Sequence, residues 1–168
     1  MRRLLRMGSG SAAAIAVLVA SARAPNAIER KPLPVFTLDA LDGRAVSSAD
    51  VARAGKWLLI YVRPGCGPCD TLLDAIDPLV NPLVPARTVV VIGGVTPEGA
   101  AKLAVRFGDL KGAAWYADPQ GAMAAALPLA GAPVVFGLNR TMIEWSLAGV
   151  VPDKAAVKSA LVSWAGNK

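Results

Sequence analysis

The only two cysteines of this 168-residue chain stand three positions apart, as Cys66 and Cys69 in the stretch RPGCGPCD. Two thiols at that spacing can work as a redox couple, supply half of a metal site, or close a structural staple. The chain contains no histidine, and that absence narrows the choice. A cysteine–histidine hydrolase would lack its base. A structural zinc site would lack two of its four ligands, and copper carriage by two thiolates and an imidazole would lack the imidazole. A metal shared between two chains through four thiolates is the one metal reading left, and within a single chain no metal or cofactor is expected.

The staple is the serious competitor to the redox couple. Closing a loop of four residues restricts the unfolded chain by about 2 kcal/mol, against about 3 for fifteen residues, so a bridge of this span is a poor device for stability. Position favours reactivity instead. The pair lies between KWLLIYV (56–62), a continuous apolar run bounded by Gly55 and Pro64, and a segment from Cys69 to Asp77 in which Leu72, Leu73 and Ile76 share one helical face. The first reads as a strand buried on both faces, and the second as a helix ended or kinked by Pro78. A helix start presents unsatisfied N–H groups and partial positive charge. A thiolate at Cys66 is stabilised there, with Arg63 adding to the effect, which makes Cys66 the attacking sulfur and Cys69 the resolving one.

Around this junction the chain alternates. VFTL (35–38), a turn at Asp42-Gly43 and RAV (44–46) suggest a β-hairpin, and Ser47 or Ser48 can cap a short helix through Arg53. TVVVI (88–92) is a second buried strand, and Thr96-Pro97-Glu98 opens a helix through Phe107. AAWYA (113–117) is a weaker strand, and Ala122 to Leu127 a short helix stopped by Pro128. VVFGL (134–138) and MIEWSL (142–147) flank a polar turn, and Pro152-Asp153 starts a last helix reaching Trp164. Strands and helices in this order point to a single α/β domain over residues 35–168, a layered sheet of mixed strand directions. Trp57, Trp115, Trp145 and Trp164 fall in different elements and read as packing, Gly93-Gly94 as a loop hinge.

Residues 1–24, MRRLLRMGSGSAAAIAVLVASARA, carry a positive start, an apolar middle from Ala12 to Ala20 and a small-x-small site at Ala22-Arg23-Ala24. That order is expected of a secretory signal peptide, with an uncleaved membrane anchor as the alternative. Residues 25–34, PNAIERKPLP, read as a linker. Removing 1–24 takes away four arginines and no acidic residue, so the formal net charge falls from +6 to +2. The basic character then belongs partly to the leader, and no nucleic-acid partner is expected. An exported chain would sit where disulfides persist.

Cys66-Gly67-Pro68-Cys69 after an apolar strand resembles the active-site motif of the thioredoxin superfamily, and the wider pattern is similar to its exported TlpA/ResA-type thiol–disulfide oxidoreductases. Leu33-Pro34-Val35-Phe36-Thr37-Leu38 with Leu41-Asp42-Gly43 resembles that branch's N-terminal hairpin, and the helix and strand leading to Trp115-Tyr116-Ala117-Asp118 resemble its central insertion. Gly131-Ala132-Pro133 occupies the place of its cis-proline loop. The resemblance spans about residues 32 to 165. It implies a thioredoxin-like mixed sheet flanked by helices, with an N-terminal β-hairpin extension and a central helix–strand insertion. It also implies a cis Pro133 beside the Cys66 sulfur, substrate contacts at Gly65, Gly67, Pro68 and Ala132, protein disulfides as substrates, and a partner protein that re-reduces the pair. Gly67-Pro68 resembles the reducing members more than the oxidising ones. An oxidase or isomerase, or a binding module with a closed disulfide, are the alternatives.

Three positions depart from the pattern. Gly65 stands where thioredoxins carry tryptophan, Ile60 where they carry a buried aspartate, and Leu72 where the exported reductases usually carry glutamate. Both familiar proton acceptors for the resolving thiol are therefore missing. Asp70 and Asp74 lie nearby but read as solvated helix residues, Asp70 favoured by the helix dipole. Arg63 replaces the threonine of peroxiredoxin-like sites, which argues against a peroxidase.

Overall fold

The computed structural model of the chain describes residues 30–76, 83–108, 110–149 and 153–166. The expected leader over 1–24, the first half of the linker (25–29) and Pro78 and Pro152 lie outside the described residues. In order, the elements are β1 (Lys31–Pro32), β2 (Thr37–Ala40), β3 (Ala45–Ser47), α1 (Ser48–Val51), β4 (Lys56–Val62) and α2 (Gly67–Asp74). There follow α3 (Leu83–Ala86), β5 (Thr88–Gly93), α4 (Pro97–Arg106), β6 (Ala114–Asp118), α5 (Ala122–Ala126), β7 (Val134–Asn139), β8 (Met142–Ala148) and α6 (Lys154–Gly166).

The described strands form one sheet in the order β1-β8-β7-β4-β5-β6-β2-β3. β4 lies inside it, parallel to β5 and antiparallel to β7. Its unbroken apolar run follows from that place, because successive side chains enter opposite cores. Leu58, Ile60 and Val62 join Cys69, Leu72, Leu73, Leu161 and Ala165 on one side. Trp57, Leu59 and Tyr61 join Phe36, Leu38, Val51, Met123 and Phe136 on the other. Five-residue pairing in parallel register, Leu58↔Thr88 through Val62↔Ile92, sets the end of β4 level with the end of β5. The helices that follow both strands therefore begin at the same edge of the sheet.

The mixed α/β architecture expected from the sequence is present, and several local readings need revision. The linker expected over 25–34 ends sooner than supposed: Lys31 and Pro32 pair with Ile143 and Met142, and Leu33 N–H donates to Thr141 O at 2.7 Å. An edge strand needs few ladder bonds and tolerates proline, so composition alone could not separate the two. The hairpin begins two residues later than read. Ser47 and Ser48 divide the work expected of one: Ser47 caps α1 by accepting from Ala49 N–H, whereas buried Ser48 accepts from Phe36 N–H and donates to Pro34 O. α3, containing Pro85, was not foreseen. The hairpin also joins the main sheet, because β6 pairs in parallel with β5 on one side and antiparallel with β2 on the other.

Asp118 ends β6 and starts α5. It is 1% exposed, and its two carboxylate oxygens accept from Ala122 N–H at 2.7 Å and Met123 N–H at 3.1 Å. α5 leads into the loop before Pro133, so this cap anchors the loop from behind. Replacing Asp118 by Ala removes both bonds and should lower stability by about 2 kcal/mol, read as a lower midpoint of urea unfolding. An unchanged midpoint would mean that the cap contributes nothing.

Candidate redox site

β4 ends at Val62, and Arg63-Pro64-Gly65 carry the chain to Cys66. Gly65 has φ +69°, a conformation that L side chains rarely adopt. This accounts for glycine at the position, where any side chain would be strained. Cys66 then takes the position before the first residue of α2, and Pro68 lies in the first turn, where a missing N–H costs the helix nothing. Cys69 N–H donates to the Cys66 sulfur at 3.2 Å and also approaches Cys66 O at 2.9 Å. A sulfur thus accepts one of the N–H groups that a helix start leaves open.

Cys66 and Cys69 are joined as a disulfide. Their surroundings differ sharply. Cys66 is half-buried at the helix end, flanked by exposed Gly65 and Gly67. Cys69, one turn on, faces the core with Leu72 and Leu73 and is 1% exposed. Ile60 and Leu72, at the positions of the missing acids, are buried in the same cluster. Asp70 is partly exposed and its Oδ2 accepts from Arg106 Nη2 at 2.9 Å, so it is paired rather than simply solvated. Asp74 is exposed. Arg63 borders a small cavity that also touches Cys69, Asp70 and Arg106.

The Ala132–Pro133 peptide bond is cis. Ala132 O lies 3.7 Å from the Cys66 sulfur, a van der Waals contact because the disulfide has no S–H to donate. Pro133 is buried, and its carbonyl accepts from Gly149 N–H at 3.0 Å, which ties the loop to the end of β8. Among the described residues, no backbone group engages the N–H or C=O of Ala132. Beside Ala132 a groove of about 470 Å³ runs between the 127–132 loop and the β7–β8 face, lined by Leu127, Leu129, Val134, Phe136 and Ala148. Neither this groove nor Arg106 was singled out from the sequence. The groove joins apolar residues from three segments, and Arg106 reaches Asp70 across 36 positions, so no local pattern announces either.

No known family model matches the chain, and no curated protein matches it in sequence. Solved structures do. A secreted disulfide oxidoreductase of Mycobacterium tuberculosis homologous to E. coli DsbE superposes with a TM-score of 0.60 at 14% identity, over 76% of this chain and 95% of that one. The fold is thioredoxin-like. A putative thiol:disulfide interchange protein DsbE from Chlorobium tepidum aligns at TM-score 0.57 and 20% identity, over 79% of this chain and 94% of that one. The peroxidoxin BcpB of Mycobacterium tuberculosis aligns as well, at TM-score 0.59 and 15% identity over 79% and 95%. A thioredoxin-type scaffold carrying a CxxC pair is therefore in place, while the fold by itself does not choose between disulfide exchange and peroxide chemistry.

The difference in burial between the two sulfurs has a direct readout. After reduction, limited treatment with iodoacetamide should modify Cys66 well ahead of Cys69, measured by peptide mass spectrometry. Equal labelling would show that the helix does not shield Cys69.

Proposed function

We propose that the protein is an exported thiol–disulfide oxidoreductase that reduces disulfides in other proteins with the Cys66–Cys69 pair. One observation carries this reading: a half-exposed sulfur at a helix start, in contact with a backbone segment whose hydrogen-bonding groups are open. In the reduced protein, Cys66 thiolate attacks a partner disulfide, forming a mixed disulfide and releasing one partner thiolate. Cys69 thiolate then attacks Cys66 Sγ, closing the intramolecular disulfide and releasing the second partner thiol. Two electrons pass from the pair to the partner. A second, dithiol-bearing protein restores the pair.

The helix start supports the first step by offering Cys69 N–H to the Cys66 sulfur, an interaction stronger with a charged acceptor. Ala132 supports capture of the partner: its open N–H and C=O suit an extended segment laid alongside, in the manner of strand addition. The apolar groove gives that segment's side chains a place to lie. Gly65, Gly67 and Pro68 leave the approach to Cys66 free of bulk. Export follows from the leader read over residues 1–24, with periplasmic release or retention through an uncleaved leader as its two outcomes. Among the described residues no helix is long and apolar enough to cross a membrane. Apocytochrome disulfides, reduced to thiols before haem attachment, are one substrate class that the family resemblance suggests.

Trapping tests the mechanism. Cys69→Ser should accumulate mixed disulfides with exported proteins on non-reducing gels, and Cys66→Ser should accumulate none. A clean gel for Cys69→Ser would instead support a binding module with a closed disulfide. Direction is tested by equilibration with glutathione. A pair that glutathione reduces readily would be an oxidant, and the reductase assignment would fall.

A further inference from the structure

Closure of the disulfide requires Cys69 to attack as a thiolate, yet its sulfur is packed among apolar side chains that offer its proton no acceptor. Ile60 and Leu72 beside it carry no acid. The route out is a cavity of about 20 Å³ between α2, α4 and the ends of β4 and β5, walled by Cys69, Leu73, Ile92, Phe107 and Trp115. A single water needs roughly 10–15 Å³ on the same measure and at least two polar partners. Of the charged side chains bordering the cavity, Arg63, Asp70 and Arg106, only Asp70 can accept a proton. It is also held. Arg106 binds Oδ2 at 2.9 Å, leaving Oδ1 to accept. Arg106 in turn lies 5.5 Å from the Phe107 ring centre, and Phe107 stacks on Trp115 with ring centres 6.3 Å apart.

We propose that the Cys69 proton leaves through this cavity, passed by one water to Asp70, with Arg106 as the positioning residue that keeps the carboxylate at the cavity wall. The inference rests on the exchange chemistry proposed above and deepens it. The S–H bond of Cys69 breaks and Asp70 gains the proton. The Cys69 thiolate then forms its bond to Cys66 Sγ as the Cys66–partner bond breaks, and the departing partner thiolate carries away the electron pair and takes up a proton.

Stopped-flow mixing of the reduced full chain with a model disulfide peptide separates the two steps, attack by Cys66 and release of the second peptide thiol. Asp70→Asn should keep the wild-type circular dichroism spectrum, which reports an intact fold, and should affect the attack far less than the release. At neutral pH it should slow the release by roughly a hundredfold, the low end for proton transfer by a positioned group. The deficit should vanish at alkaline pH, where hydroxide removes the proton directly, and Asp70→Glu should restore most of the neutral-pH rate. Arg106→Gln should give a smaller slowing of the same step with the same alkaline rescue. Release by Asp70→Asn at the wild-type rate, or a deficit equal in both steps or unchanged at alkaline pH, would overturn the proton route while leaving the exchange reading intact. Failure of the wild-type protein to form any mixed disulfide would remove both.

Discussion

A helix that begins at Cys66 is the constraint on which the rest of this protein depends. Its first turn directs the Cys69 N–H at the half-buried Cys66 sulfur, one of the donors that a helix start leaves open. The helix start can sit there only because β4 stops at Val62 and Gly65 turns the chain through a positive φ. β4 is held in place from both sides. Its alternate side chains enter two separate cores, and its backbone pairs with β5 and β7 along most of its length. Cys69, Leu72 and Leu73 bury the inner face of the helix, which fixes its direction relative to the strand.

The same geometry makes the two sulfurs unequal. Three residues along a helix is nearly one turn, so a cysteine at the cap and another on the core-facing stripe lie close enough to bond yet meet different surroundings. One is open to a visiting chain, and the other waits in apolar packing. Exchange chemistry needs that inequality, because the exposed sulfur must be attackable and the buried one must be reachable only from inside. Burial of Cys69 has a consequence for protons. Ile60 and Leu72 are apolar, so the acceptor proposed for its proton stands at the cavity wall rather than in the core.

The outer parts of the sheet serve the site at one remove. α5, capped by Asp118, delivers the loop that ends at Ala132, and Gly149 pins Pro133 from the end of β8. The loop therefore has two anchors, one from each neighbouring element, and its free backbone groups are presented beside Cys66 as a consequence. β6 carries both this connection and the pairing with the N-terminal hairpin, which extends the sheet to eight strands. The structural neighbours share this frame at 14–20% identity, a level at which layer packing persists and side-chain chemistry is free to diverge.

The sequence by itself determined the cysteine pair, the absence of imidazole chemistry and the order of the main elements. Each of these is a local fact: two cysteines three apart, no histidine, apolar runs of strand or helix period bounded by glycine and proline. It could also show that Ile60 and Leu72 carry no acid. Only the tertiary structure decided that Lys31–Pro32 close the sheet as an edge strand, that Gly65 needs a left-handed backbone, that the 127–132 loop makes a groove with β7 and β8, and that Arg106 meets Asp70. Those features arise where segments distant in sequence come together, and neither periodicity nor spacing records which distant neighbour a side chain will meet.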